Sequence, residues 1–169
     1  MKADKEKTSE KHTAKAVLDF LREVADPEIP VLNIVELGIV REVKEDAGIL
    51  NIVITPTYSG CPAMKAIEED IGSLLSKKGI GKFRISTTLS PAWTTDWITD
   101  EAKKKLMVYG IAPPEKPENR KGNIPGKPDK CPNCGSKNTK LKSEFGSTAC
   151  KALYVCGDCL EPFEYFKCY

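Results

Sequence analysis

Two C-x-x-C pairs stand near the end of the chain, Cys131-Pro132-Asn133-Cys134 and Cys156-Gly157-Asp158-Cys159. Paired thiolates at this spacing cup one side of a tetrahedral metal, and two pairs close the shell. Four sulfur ligands suit a structural zinc ion, with iron in a rubredoxin-like site or an iron–sulfur cluster as the other S4 chemistries. The interval between the pairs, residues 135–155, is slightly longer than the usual zinc spacing. A segment this short cannot hold itself together by apolar burial alone, so metal binding and folding form one equilibrium. Cys131, Cys134, Cys156 and Cys159 are thus the expected ligands of structural Zn2+ in a zinc ribbon over residues 131–169.

A second candidate for chemistry is Cys61, in the run Thr55-Pro56-Thr57-Tyr58-Ser59-Gly60-Cys61-Pro62. Residues 49–54 before it are apolar and read as a buried strand, and residues 63–71 after it read as a helix. Pro62 suits the first helical position, which puts Cys61 at or beside the N-cap. Free N–H groups and the positive end of the helix dipole favour an anion there, so the thiol is expected to tend toward thiolate. A thiolate attacks electrophiles and binds metals. The alternative is a small buried residue filling a tight turn. Thr55 and Ser59 lie in the same loop as further candidates.

The chain carries 26 Lys+Arg against 24 Asp+Glu and has a net charge of +2, with no segment strongly basic. Nucleic acid is therefore not an expected partner. With no run of some 18 apolar residues, no membrane span is expected. The charged start lacks the apolar core of a signal peptide, so 7 cysteines point to thiols and metal in the cytoplasm rather than to disulfides. The single histidine, His12, falls in a charged N-terminal tail and reads as a solvated surface residue. Without a usable histidine no Ser-His-Asp or Cys-His machinery can be built, and no phosphate-binding glycine motif is present.

These residues need elements to position them. Ala14, Val17, Leu18, Leu21 and Val24 follow helical spacing, and Asp26-Pro27-Glu28-Ile29-Pro30 ends that helix. A strand over 39–43 turns at Asp46-Ala47-Gly48 into the strand over 49–55. The helix after Cys61 runs to about Lys77 and stops before Gly79. Residues 82–89 alternate as a third strand, and a helix over 99–109 ends at Gly110. The order α-β-β-α-β-α predicts an α+β domain over 13–112, with a small three-stranded mixed sheet covered by helices on one face. The strand–helix–strand crossover makes the second and third strands parallel. The Cys61 loop and the Trp93–Trp97 loop then share one sheet edge, where α/β sheets bind ligands. Asp26 and Glu28 join that edge if the first turn folds over it; otherwise they only terminate a helix, and the tryptophans only pack.

Residues 113–130 carry five prolines among polar residues and read as a linker without a core, separating two independent folding units. In the ribbon, antiparallel pairing of 149–156 with 162–168 would set Cys150 opposite Cys168. Those two read as small buried hydrophobes or, alternatively, as a second labile metal or redox thiol pair.

Residues 26–38 (DPEIPVLNIVELG), 55–62 (TPTYSGCP) and 90–97 (SPAWTTDW) resemble the compact domain of the iron–sulfur assembly factor superfamily. Residues 144–154 (EFGSTACKALY) and 162–168 (PFEYFKC) resemble the ribbon of the PaaD family of phenylacetate-degradation proteins. The resemblance implies a non-catalytic accessory role beside the phenylacetyl-CoA ring epoxidase, maturing an iron or iron–sulfur centre of its reductase or oxygenase subunits. It implies that Cys61 is the residue that transiently holds iron or a cluster. A structural docking subunit with Cys61 inert is the competing role, an enzyme with a Cys61 nucleophile a distant third, and a homodimer is left open.

Overall fold

A computed structural model describes residues 13–114 and 127–167. His12, Cys168 and most of the expected linker lie outside the described residues. The first helix, α1 (Ala14–Leu21), starts at Thr13, whose hydroxyl accepts the Ala16 N–H at 3.2 Å, and buries Val17 and Leu21. It stops a turn earlier than its spacing suggests. Val24 is still buried, but Ala25 is drawn into a bridge with Asn33, and Val24 and Ile34 share a backbone hydrogen bond.

Residues 26–39 fold as irregular turns around buried Ile29, Leu32, Ile34, Leu37 and Ile39. Asn33 Oδ1 accepts the N–H groups of Val35 and Glu36, while Glu36 Oε2 accepts the Asn33 N–H. This is the reciprocal logic of a capping box applied to a turn. Gly38 has φ +69°, and a Cβ there would lie 2.5 Å from Trp97 Cβ, so only glycine fits.

Strand β1 (Val40–Asp46) pairs antiparallel with β2 (Ile49–Ile54) through a two-residue turn in which Ala47 and Gly48 both have positive φ. Helix α2 (Ala63–Lys77) packs Ala63, Ile67, Ile71 and Leu75 into the core at four-residue spacing. Strand β3 (Phe83–Thr87) returns parallel to β2, giving the sheet order β1-β2-β3. The loop after β3 carries buried Trp93, whose Nε1–H donates to the Leu37 carbonyl at 2.9 Å. Helix α3 (Asp100–Tyr109) starts at Thr99 and ends at Gly110 in the left-handed conformation. Lys105 on α3 reaches Glu36 at 2.7 Å and ties the helix to the turn region. The α+β class and the mixed three-stranded sheet are as the sequence predicts.

The relation between the two halves is not. Strand β4 (Ile111–Ala112), immediately after α3, pairs parallel with β7 (Pro162–Phe166) in a second sheet. That sheet has the order β4-β7-β6-β5, with β5 (Thr139–Ser143) and β6 (Lys151–Cys156) completing it. Cys150 and Phe166 of this half belong to the same buried cluster as α1, α2 and the first sheet. Phe166 meets Trp93 with ring centroids 6.0 Å apart. The two halves thus share a sheet and a buried cluster, which the linker composition does not announce. A linker composition reports that the linker itself has no core, not whether the segments flanking it pack on each other.

The β6–β7 register also departs from the expected one. Lys151 faces Phe166, and the Lys167 N–H donates to the Cys150 carbonyl at 2.9 Å, so Cys150 stands opposite Lys167 and not Cys168. Cys150, one residue before β6, packs with the buried cluster of the first half.

Phe166→Ala is expected to cost about 3–5 kcal/mol of stability, the range for deleting a buried phenylalanine. Urea unfolding followed by tryptophan fluorescence and by far-UV circular dichroism checks this; a loss below about 1 kcal/mol would mean that the halves are not joined here.

Candidate functional site

Two constellations of reactive side chains are built. The first is the four-thiol group Cys131, Cys134, Cys156 and Cys159, whose sulfurs all lie within 4.8 Å of one another. Cys131 Sγ is 3.8 Å from Cys159 Sγ, and Cys134 Sγ is 3.5 Å from Cys156 Sγ. Four sulfurs at about 2.3 Å from a tetrahedral zinc would stand about 3.8 Å apart, so the residues fit such an ion.

Each knuckle is a tight turn. The Gly135 N–H donates to the Cys131 carbonyl at 2.9 Å, and the Cys156 N–H donates to the Glu161 carbonyl at 3.0 Å. Backbone N–H groups of Cys159 and Asp158 aim at the Cys156 sulfur and lower its thiol to about 6. Asp158 braces the two knuckles, accepting from Ser136 Oγ and, at 2.8 Å, from Asn138 Nδ2. With all four positions supplied by protein, the shell is closed to substrate.

The second constellation is a cleft where the two halves meet. Asp26, Glu28, Thr57, Cys61 and Met64 line it from the first half, and Cys150 and Phe166 from the second. Cys61 lies one residue before Pro62, the cap of α2. Its sulfur takes the Ala63 N–H and is hydrogen-bonded by the Thr57 side chain and the Tyr58 phenol. Asp26 is only 7% exposed, and its Oδ1 accepts the N–H groups of Glu28 at 2.9 Å and Ile29 at 2.8 Å. That Asx turn folds the post-helix segment over the sheet edge.

The electrostatics of the cleft run against anions. Burial pushes the Cys61 thiol up, and the nearby carboxylates of Glu28 and Asp26 add to it; the Ala63 N–H and the Thr57 contact oppose this without overcoming it. The expected thiolate tendency at the helix start is thus overturned by desolvation. Burial likewise raises Asp26 against its two backbone N–H donors, and burial together with Asp26 raises Glu28. Tyr58 is pushed up to about 12 by burial first, then by the charges of Cys61, Glu28 and Cys150.

Of the residues singled out from sequence, Cys61, Asp26 and Glu28 meet in this cleft. Thr55 is buried after β2 but does not line it, and Ser59 is exposed. Thr57, in the same loop, lines it as well, and nothing in the loop's composition sets it apart from Thr55. The place of Cys150 could not be read, because it depends on how the second half docks.

Comparisons with known proteins agree with this architecture. Residues 14–83 match the family described as iron-sulfur cluster assembly protein, and residues 115–167 match the PaaD zinc beta ribbon domain. Among solved structures, a domain of unknown function (DUF59) from Bacillus anthracis is 28% identical with a TM-score of 0.52, over 55% of this chain and 90% of that one. A conserved hypothetical protein from Thermotoga maritima is 29% identical with a TM-score of 0.50, over 58% of this chain and 97% of that one. An "Fe-S protein maturation auxiliary factor" of Porphyromonas gingivalis (strain ATCC BAA-308 / W83) is 36% identical over 96 residues, 56% of this chain and 90% of the relative. The class is thus an iron–sulfur assembly domain joined to a zinc ribbon. Within that class the chain belongs to the PaaD family, together with an Escherichia coli (strain K12) protein named as a "Putative 1,2-phenylacetyl-CoA epoxidase" component. The two are 47% identical over 149 residues, 88% of this chain and 89% of the relative.

Two outcomes are expected. Cys131→Ser should release the bound metal, unfold the second sheet and, through the shared Phe166 core, lower the stability of the first half as well. Metal content and near-UV circular dichroism report this. Asp26→Asn keeps an oxygen to accept the two turn N–H groups but removes the buried charge. A carboxyl whose pKa is raised on folding contributes stability below its unfolded pKa and loses it as pH rises through the folded one. At pH 7 the Asn variant should therefore melt at the same or a higher temperature than the parent chain; a lower Tm would mean the carboxylate is net stabilising.

Proposed function

We propose that the protein is an accessory factor that matures an iron or iron–sulfur centre of phenylacetyl-CoA epoxidase, with Cys61 as transient ligand of the cargo. The observation that carries this reading is the cleft itself. It gathers a thiol and two carboxyls at a sheet edge, each pushed toward its neutral form by burial, with no imidazole base among the described residues. Such a group is poorly equipped for nucleophilic catalysis, and a cation that reached the thiol would draw off its proton and compensate the negative charge beside it. Relatives named as Fe-S protein maturation auxiliary factors and as an epoxidase component support the cargo and the partner.

The four-thiol site takes Zn2+ with a structural role. It holds the second sheet in place and keeps Phe166 against Trp93. The partners are components of the epoxidase, its reductase or its oxygenase subunits, and the setting is cytoplasmic.

Cys61→Ser is the direct test. Serine can accept the Ala63 N–H that the Cys61 sulfur takes, so fold and zinc content should stay normal. Serine lacks the soft sulfur that selects iron and iron–sulfur clusters, so an epoxidase component co-produced with the variant should be purified depleted of its metal centre. A partner carrying its full metal complement would make Cys61 a filler and the protein a docking subunit.

A further inference from the structure

The four cysteines of the metal site differ in their access to water. Cys131 and Cys156 are buried, Cys159 is half-buried and Cys134 is exposed. Four thiolates around a divalent ion leave net negative charge on the sulfurs. Solvent can answer that charge at Cys134 and Cys159, but at a buried sulfur only protein donors can. The Cys156 sulfur accepts the backbone N–H of Asp158 at 3.4 Å, with a further N–H from Cys159.

Thr139, the first residue of β5, stands directly opposite Cys156 in the sheet. The Thr139 N–H goes to the Lys137 carbonyl and the Cys156 N–H to the Glu161 carbonyl, while the Gly157 N–H donates to the Asn138 carbonyl at 2.6 Å. Thr139 and Cys156 are therefore a non-hydrogen-bonded antiparallel pair, the kind in which facing side chains come closest. Directly opposed residues share a face of the sheet, and both of these are buried. Thr139 is 6% exposed, and its Oγ1 has no hydrogen-bond partner. A buried hydroxyl without a partner is destabilising where valine of the same shape would not be. The one strong acceptor that metal binding creates beside it is the Cys156 thiolate.

We propose that Thr139 is a positioning residue of the four-thiol site, its Oγ1–H donating to the Cys156 sulfur when that sulfur is a metal-bound thiolate. A staggered rotation about the Thr139 Cα–Cβ bond aims the hydroxyl across the pair. An ionised acceptor makes the stronger hydrogen bond, so this one belongs to the filled shell. A donor at the sulfur fixes its direction and draws charge from it, as hydrogen bonding around metal-bound sulfur does generally. The proposal rests on the reading of the four thiols as a metal site. It adds a residue outside both C-x-x-C pairs, on the neighbouring strand, that sets how tightly the ion is held.

The test loads the full chain with Co(II), whose bonds to sulfur give a charge-transfer band, and then displaces the cobalt with zinc to read affinity. Thr139→Val keeps the shape and loses the hydroxyl. It should move the sulfur-to-cobalt band to longer wavelength, because a sulfur without that donor gives up its electron more readily. It should also weaken metal binding at least about tenfold, the low end for partners that hydrogen-bond a metal ligand. Thr139→Ser should return band and affinity to those of the parent chain. An incidental threonine gives the opposite result in valine, an unmoved band with unchanged or tighter binding, and that overturns the proposal. Weaker binding with an unmoved band overturns it too, since lost packing alone would do that. A parent chain that takes up no metal at the four thiols overturns the metal-site reading itself. Should the valine chain fail to fold, Thr139→Ser against Thr139→Ala decides, the two differing by the hydroxyl alone. A parent-like band in serine and a shifted one in alanine uphold the hydrogen bond, and matching bands overturn it.

Discussion

The contact between Trp93 and Phe166 is the joint on which the rest of the molecule depends. Trp93 is fixed from one side by the Leu37 carbonyl, which belongs to the turn region that also carries Asp26 and Glu28. Phe166 is fixed at the end of β7, whose sheet is held by a metal site too small to fold without its ion. Ring against ring, these two set the distance between a carboxylate-bearing turn and a thiol-bearing strand. Neither half builds the cleft alone. The Cys61 side lacks a wall without the ribbon, and Cys150 is covered by the core of the first half.

The cleft is maintained against its own electrostatics. Burying four acid groups costs free energy whether they are charged or must be kept protonated, and the fold keeps them together. Asp26 shows how. Its carboxylate is retained because one oxygen also closes the turn that follows α1, so a local structural bond offsets part of the desolvation. Such local conflict between stability and placement is typical of sites where proteins do chemistry.

What could be read from sequence was what local rules decide. Pro62 and Gly79 bracket α2, and Asp46-Ala47-Gly48 makes the hairpin, because a fixed φ and the freedom to adopt positive φ act within a turn's reach. The C-x-x-C pairs announce a metal site because their spacing is itself the geometry. The rest was non-local. Burial beneath another segment pushes the Cys61 thiol up, and a rule about helix ends carries no information about that segment. The docking of the second half follows Phe166 and Cys150, two unremarkable residues in a strand pattern. The pairing that sets Cys150 opposite Lys167 leaves no mark in composition. Resemblance to known families reached further than these rules for the kind of protein, but not for how its halves meet.

Strand β6 is also a ruler. It begins one residue after Cys150 and ends on Cys156, so about 20 Å of extended backbone joins the cleft to the four-thiol shell. Both flanks of the strand are hydrogen-bonded, to β5 and β7, and it does not bend independently of them. Order imposed at one end is therefore felt at the other. In the language of linked equilibria, whatever order the filled shell lends the far end of this rod, order at the far end returns to the shell in equal measure. The ribbon's metal thereby acts as a remote determinant of how firmly the cleft's far wall is held.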